Sequence, residues 1–443
     1  MLRQLRTLRD CMYQGFYVLD TLRYRAFEEE EEDGAGDNKV MNHSWALSKF
    51  SYAKRLCLSS SSSSSSTKAS QELVAENVLD SLTTMILDAS ESVMFLKTYP
   101  RLHRQPYIMH LLLGNCMFGR QMEMELILHF LLHTQPCGSG LDRFDVLPIV
   151  GPACCGKSTL VAQVCNDERV RDHFSQIAFF RHGTFRDEDI GIFTDHCTTR
   201  RHEQNRKLLI VFEVVGELKD DLWERLYSLS RKCTASGSKI IITSRSDNIR
   251  KLGTTQAMTL KHLPHEAFWY FFKVITFGST DPEMHPRLAY VAMEISKMLN
   301  GSLIAANVIG GLLRANFGIQ YWSKILKFVR KGEEKNTSMH GEHPCDLLTE
   351  NRTGYVGRLG RTTPDVFISS KYQTCSSQEE LPEITAQDVL YGGVKPQGKF
   401  KVLAWKSPLP PYRCYIHIYE IRRLQTRLVK KRYSQNKSGI RSA

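Results

Sequence analysis

An α/β fold with a parallel sheet, flanked by helical regions, is what this sequence predicts, and three features predict it. Four apolar runs recur through the middle of the chain. Helix-compatible or loop sequence separates them. A glycine-rich turn follows the first run directly. The chain has 443 residues with 42% apolar and 24% charged residues, ordinary globular usage for several domains. No apolar run approaches the length of about 18 residues that a membrane span needs, and the N-terminus lacks a signal-peptide core. Twelve cysteines without regular spacing read as reduced thiols, so the expectation is a soluble protein of the cytosol or nucleus.

The strand candidates are VLPIV before Gly151, QIAFF around Ala178, LLIVF from Leu208 and KIIITS from Lys239. Parallel strands are covered on both faces and so read as continuous apolar runs rather than alternating ones. Upstream, Leu2, Leu5, Leu8, Met12, Phe16, Leu19 and Leu22 recur at helical steps, which predicts a packing helix with that stripe inward. The acidic run Glu28 to Asp33 and the eight serines Ser59 to Ser66 cannot bury surface and predict disordered inserts at 28–40 and 59–70. A second stripe from Leu73 to Leu96 predicts a long helix ending near Pro100, and residues 122–132 a short one. From His262 to Phe317 the chain is again helical, with Phe268, Phe271, Phe272 and Ile275 on one side.

The expected organisation is a helical region over 1–100, a nucleotide-binding unit over 115–260, a helical subdomain over 261–328, and a polar, partly disordered region with a basic tail over 329–443. Of the formal net charge of +12, most lies in residues 399–443, which hold twelve Lys or Arg and one acidic residue, Glu420. A basic amphipathic stretch there places Ile418, Ile421, Leu424 and Leu428 on one face. A charge confined to a tail says little about the main body.

The chemistry lies in the turn. Gly151-Pro152-Ala153-Cys154-Cys155-Gly156-Lys157-Ser158 satisfies G-x-x-x-x-G-K-[ST], with a strand before it and a helix-compatible TLVAQVC after it. At average composition a chance match in such a chain has a probability of about 1–2%. Glycines let backbone N–H groups wrap phosphates, and the following helix aims its positive end at them. Lys157 is the candidate for the β- and γ-phosphates, Ser158 for Mg²⁺, and Thr159 opens the helix behind them. On the strand LLIVFEV the sole carboxylate is Glu213, the candidate for orienting a water or a hydrated metal. Phe212 precedes it and offers no oxygen to a hard cation. Arg245, at the end of KIIITSR, is placed where ligands bind in open α/β sheets, with a fixed charge suited to a γ-phosphate.

These segments, with LKHLPHEAFWYFFKVITFG and NGSLIAANVIGGLLR downstream, stand in the order and spacing of the NB-ARC domain of plant disease resistance proteins. The chain resembles that family, nucleotide-switched immune receptors of the STAND ATPase class, over about residues 115–325. CMFGRQMEMELILHFLL is similar to its opening segment, and MLRQLRTLRDCMYQGFYVLDTLRYR to the later half of the coiled-coil domain of cereal members. The resemblance implies a P-loop NTPase sheet, ADP or ATP with Mg²⁺ as ligands, and a role in defence signalling. It places Gly151 to Thr159 and Arg245 at the nucleotide, Ser158 at the metal and Glu213 at the second acidic position of the Walker B strand. Partners implied are other immune receptors or signalling proteins, or a second copy, meeting the N-terminal helices.

The sequence departs from the family in several places. Phe212 occupies the first Walker B acidic position, Val215 a position where tryptophan is common, and Ser302 the proline of G-L-P-L-A, which leaves Gly301 and Leu303 as weak nucleotide neighbours. Met339-His340-Gly341 lies too close to Gly301 to be the family's M-H-D latch. No leucine-rich repeat pattern occurs, so a truncated receptor, at most a slow ATPase, is expected. Two alternatives stand beside it: a catalytically inactive fragment that regulates full-length receptors by binding them, and a nucleic-acid-binding protein using the basic tail. His340, His343 and Cys345 form H-x-x-H-x-C without the further ligands that a closed zinc site needs.

Overall fold

The computed structural model describes residues 2–33, 73–87, 113, 117–133, 145–182, 207–214, 218–233, 235–349 and, with short gaps, 352–422. The serine run, the end of the second helical stripe, Val215, Leu424 and Leu428 lie outside the described residues.

Each apolar run forms a strand: β1 (Asp145–Val150), β2 (Gln176–His182), β3 (Leu208–Val214) and β4 (Lys239–Ser244). They and the two-residue β5 (Met258–Thr259) make a parallel sheet in the order β2-β3-β4-β1-β5. The chain crosses from central β1 to the far edge and returns through β3 and β4. This leaves a crevice at the C-terminal end of β1, where open α/β sheets bind ligands. Side-chain alternation divides the core in two. Leu147, Ile149, Leu209, Val211 and Ile241 pack with α3 (Gln121–Leu132), α4 (Lys157–Cys165) and α5 (Glu168–His173). Val146, Val150, Ile210, Phe212, Ile240 and Ile242 pack with Trp223 and Leu226 of α6 (Asp220–Cys233) on the other face.

A helical body follows, made of α7 (His265–Phe277), α8 (Pro286–Met298), α9 (Leu303–Ala315) and α10 (Ile319–His340). Its core includes Phe268, Trp269, Phe272 and Trp322, all at most 2% exposed. The first helix, α1 (Leu2–Asp33), packs on α7 and α8. A helix is present as expected, but the predicted stripe is not its buried face. Met12, Phe16 and Leu19 are exposed, whereas Tyr13, Asp20 and Tyr24 are buried and Tyr17 is half-buried. The reason is polar: Asp20 accepts hydrogen bonds from Trp269 Nε1 (2.8 Å) and Lys273 Nζ (2.5 Å), and Tyr17 meets His265 at 3.0 Å. α1 also continues through the acidic run, part of the segment expected to be disordered. Helix α2 (73–87) lies against α1, with Leu82 and Val78 facing Gly15.

Beyond α10 the expected polar region instead contains α11 (Pro344–Thr349) and an antiparallel sheet. Its strands β6 (Thr353–Val356), β7 (Asp365–Cys375), β8 (Lys399–Lys406) and β9 (Cys414–Arg422) run in the order β6-β7-β9-β8, with α12 (Ala386–Tyr391) beside them. Ile418 and Ile421 thus belong to a strand, paired with Ser369 and Val366, not to an amphipathic helix. The register shifts between Ser369 and Gln373 in β7 and between Leu403 and Trp405 in β8.

Candidate functional site

The glycine-rich turn joins β1 to α4 as predicted and is pinned where it leaves β1. Gly151 N–H donates to Ser244 O (3.3 Å), and Leu260 N–H donates to Val150 O (2.7 Å). The backbone of Leu260 then passes so near that a Cβ on Gly151 would lie 2.2 Å from its carbonyl oxygen. Only glycine fits there. Cys154 (φ 57°) and Gly156 (φ 96°) adopt left-handed backbone, which folds the chain into a concave loop before the helix begins. Gly156 caps α4, and its carbonyl takes the first helical hydrogen bond, from Leu160 N–H at 2.9 Å.

Lys157 lies over this loop. Its ammonium donates to Gly151 O and Pro152 O, both at 2.6 Å, with Cys155 Sγ at 3.9 Å. Burial holds its pKa below the usual lysine value; the Cys155 thiol opposes that shift and the nearby Arg245 charge adds to it. Arg245, exposed just past β4, is thereby close enough for its field to be felt at Lys157. His262 is likewise held below its usual value by burial, by Arg120 and by Lys157. Arg120, hydrogen-bonded to Cys155 O, Lys157, on Gly151 O and Pro152 O, and His262, on one cavity wall with Pro152 to Cys154, thus border the loop, and Arg245 follows Ser244, the partner of Val150. That arrangement suits a polyanion: backbone N–H groups and the helix dipole add to the side-chain charge. Ser158 and Thr159, partly exposed in the first turn of α4, stand at the same end.

Glu213 is 5% exposed and pairs in register with Thr243. Alternation along β3 puts it on the face of Leu209 and Val211, the face that α4 covers. Phe212 points the other way, 1% exposed, with ring centroids 5.6 Å from Phe180 and 6.1 Å from Trp223. The structure thus brings the loop, Lys157, Ser158 and Arg245 to one end of the sheet, with Glu213 on a neighbouring strand. Leu303 approaches Gly156, since an added Cβ there would meet Leu303 Cδ1 at 3.9 Å. Ser302 does not act as the absent proline would; it caps α9, accepting from Ala305 N–H.

Arg120, near the loop, was not singled out from sequence, whereas His343 and Cys345 were. Arg120, 5% exposed, donates through Nη2 to Cys155 O (3.2 Å) and Lys261 O (2.5 Å) and lies 3.7 Å from Glu123. Its only sequence signal is its place in CMFGR. His343 and Cys345 share with Pro152, Ala153 and Cys154 the wall of a cavity of about 290 Å³. His343 Nε2 meets Met298 O at 2.9 Å while Nδ1 accepts from Cys345 N–H, so the ring is a hydrogen-bonded brace. Burial pushes the Cys345 thiol up to about 12, which keeps it protonated and unreactive. His340 is exposed at the end of α10, where Gly341 (φ 73°) stops the helix, so the Met339-His340-Gly341 triplet is a helix terminus. Among the described residues no group of three or more His, Cys, Asp or Glu could hold a metal ion, and no helix is long and apolar enough to cross a membrane.

No family model matches the chain. Among curated proteins it is similar to the putative disease resistance protein RGA1 of Solanum bulbocastanum, 26% identical over 226 residues, 47% of this chain and 23% of that one. RGA2 of the same species is 28% identical over 215 residues (44% and 22%). The putative disease resistance RPP13-like protein 1 of Arabidopsis thaliana is 25% identical over 232 residues (47% and 21%). The chain therefore spans about a quarter or less of the length of these relatives. Solved structures resemble it only distantly. A Signal Transduction ATPase with Numerous Domains from Pyrococcus horikoshii gives a TM-score of 0.29 at 16% identity, covering 56% of this chain and 34% of that one. Caenorhabditis elegans PCH-2 gives 0.31 at 10% identity, covering 43% and 61%. Over somewhat less than half of its length, then, this α/β chain with its helical additions is similar in sequence to plant disease resistance proteins.

Proposed function

We propose that the chain is an NB-ARC-type nucleotide-binding switch module that acts in plant defence signalling with ADP and ATP as its ligands. The observation that carries this reading is the loop of left-handed backbone at the N-terminus of α4, with the Lys157 ammonium folded onto the Gly151 and Pro152 carbonyls and Arg245 following Ser244, which pairs with Val150. In that reading Gly151 to Thr159 hold the phosphates, Lys157 leaves the loop carbonyls for the β- and γ-phosphates, Ser158 holds Mg²⁺, and Arg245 answers the γ-phosphate. Glu213 orients water or a hydrated metal. The similarity to disease resistance proteins supports the signalling context. A cytoplasmic site of action, and partners or a second copy meeting the N-terminal helices, are parts of the same proposal.

Within this class the structure favours binding with slow or no turnover. With Phe212 turned into the core, one carboxylate, Glu213, remains on β3 to manage both metal and water. A fragment that binds nucleotide and regulates longer receptors fits this as well as a slow ATPase does. The nucleic-acid reading rests on the basic charge of residues 399–443, of which 399–406 and 414–422 are strands of the C-terminal sheet.

Thermal unfolding with and without ADP tests the proposal. Saturation at about 100 times the dissociation constant stabilises the bound form by about 2.7 kcal/mol, which raises the melting temperature in the wild type and not in Lys157→Ala. Indifference of the wild type to millimolar ADP and ATP refutes it. Phosphate release that Lys157→Ala and Glu213→Ala both reduce separates the hydrolase from the binding-only regulator.

A further inference from the structure

We propose that the cavity enclosed by α9, α10 and the C-terminal sheet is a binding site for an uncharged, mainly apolar small molecule that carries one hydrogen-bonding group for Tyr419. The inference stands apart from the nucleotide reading above.

Ile304 and Val308 of α9, Phe328 of α10, Val356 of β6, Ile368 of β7 and Leu390 of α12 give the cavity apolar walls. Its volume of about 290 Å³ and its mostly apolar lining with a few polar groups are those of a site for a small organic molecule. Small residues make the room, because Ala305 of α9, Gly332 of α10 and Ala404 of β8 also line it. Gly332 stands in the middle of α10, where glycine weakens a helix relative to alanine. A Cβ added there would meet no atom within 4 Å. Close packing therefore does not require that glycine.

Two polar side chains reach the cavity from β9. His417 and Tyr419 are two residues apart and so share a face of the strand; both line the cavity, at 8% and 4% exposure. Burial raises the pKa of the Tyr419 hydroxyl and lowers that of His417 to about 4, so both are neutral at pH 7. Among the described residues no hydrogen bond is made to the Tyr419 hydroxyl. A buried hydroxyl is costly without a partner, and a ligand carbonyl or hydroxyl would supply one.

Charge sets the class of ligand. Glu333 and Asp346 line the cavity, and among the described residues no Lys or Arg does. The carboxylates repel an anion, and apolar walls penalise any ion. Phosphates are thus disfavoured inside, although Pro152, Ala153 and Cys154 form part of one wall. A neutral molecule seated there would touch α9, α10 and the sheet at once and hold them in one arrangement.

The test titrates the full chain with prodan, a neutral naphthyl ketone whose emission moves to the blue in apolar surroundings. Saturable blue-shifted emission is expected, with a melting temperature that rises with prodan concentration. Tyr419→Phe keeps the ring, removes the hydroxyl and should weaken binding about 3- to 10-fold. Gly332→Leu should fill the space and weaken binding about 10-fold or more, without lowering the melting temperature of the protein alone. 2-Naphthoate, an anion of similar size, should bind at least about 10-fold more weakly than prodan. Absence of saturable binding overturns the inference, as does binding that both substitutions leave unchanged or that naphthoate matches. If Gly332→Leu does not fold, Val308→Phe carries the same comparison. Displacement of prodan by ADP would assign the space to the nucleotide and overturn the inference. If the protein ignores ADP, the nucleotide reading fails, and prodan binding still decides this one.

Discussion

Replacing Gly151 by alanine tests the architecture of the loop without assuming any ligand. The added Cβ would lie 2.2 Å from Leu260 O, 3.1 Å from Leu260 C and 3.2 Å from Cys155 Sγ. The first of these is backbone and cannot rotate away. A carbon and a carbonyl oxygen need about 3.3 Å, so the chain after β5 must withdraw by about 1 Å. The hydrogen bonds that flank Gly151, Leu260 N–H to Val150 O and Gly151 N–H to Ser244 O, both resist that movement. Overpacking of this kind costs about 1–3 kcal/mol, and a strained backbone hydrogen bond adds about 1 kcal/mol. For a unit of this size each kcal/mol lowers the melting temperature by about 2–4 °C. Gly151→Ala should therefore melt about 5–15 °C below the wild type by circular dichroism, and ADP should protect it less, since Gly151 O is also a Lys157 partner. An unchanged melting temperature would refute the close approach of Leu260 on which the loop geometry rests.

Two adjacent glycines in α9 should respond with opposite signs. A Cβ on Gly310 meets Ile275 Cγ1 at 2.9 Å and the buried Thr276 Oγ1 at 3.2 Å, so Gly310→Ala should destabilise by about 1–3 kcal/mol in urea unfolding. Gly311 has open space around it, and Gly311→Ala should stabilise by about 0.5–1 kcal/mol. Burial lowers the pKa of His417 from 6.5 to about 4, so the unfolded chain binds a proton there that the folded chain refuses. Stability is complete above pH 6.5 and falls by about 3 kcal/mol as the pH drops to about 4; His417→Gln should flatten that part of the profile. Asp20→Ala leaves the Lys273 ammonium and the Trp269 N–H without their carboxylate and should cost about 3–5 kcal/mol, of which Lys273→Met in the same chain restores a part.

The α/β half was legible because its signals are local. Buried parallel strands must be apolar throughout, and VLPIV, QIAFF, LLIVF and KIIITS have few other uses. In the glycine-rich turn, Gly151 meets Leu260 and Gly156 turns left-handed, and both needs appear directly as letters, whereas the left-handed Cys154 left no such sign. β5 left no trace, since two residues carry no periodicity. The face of α1 was misread for a different reason. Leucines at helical steps announce a helix, but which side is buried depends on partners about 250 positions away, and Trp269, Lys273 and His265 select Tyr13, Tyr17, Asp20 and Tyr24 instead. Arg120 was missed likewise: a buried arginine is defined by the carbonyls it meets, and Cys155 and Lys261 are distant in sequence.

Phe212 shows why the missing carboxylate bears on chemistry more than on fold. Successive residues of β3 alternate between faces, so positions 212 and 213 cannot both face α4. The structure gives the α4 side to Glu213 and the α6 side to Phe212, where the ring fills space between Phe180 and Trp223. An acid at 212 would have to turn toward the end of the strand to reach a metal; the phenylalanine instead completes an aromatic core. The sheet gains apolar burial on one face, while the other keeps one carboxylate beside a strongly basic loop. Such a site retains the means to hold a polyanion, which depend on Lys157, Arg245 and the α4 terminus. In the proposed reading, breaking a phosphoanhydride asks for a metal and a water each held by its own oxygen ligand, and β3 offers one carboxylate for both. In the proposed reading, binding rests on Lys157, Arg245 and the α4 terminus and turnover on Glu213, so substitutions at these positions should separate the two.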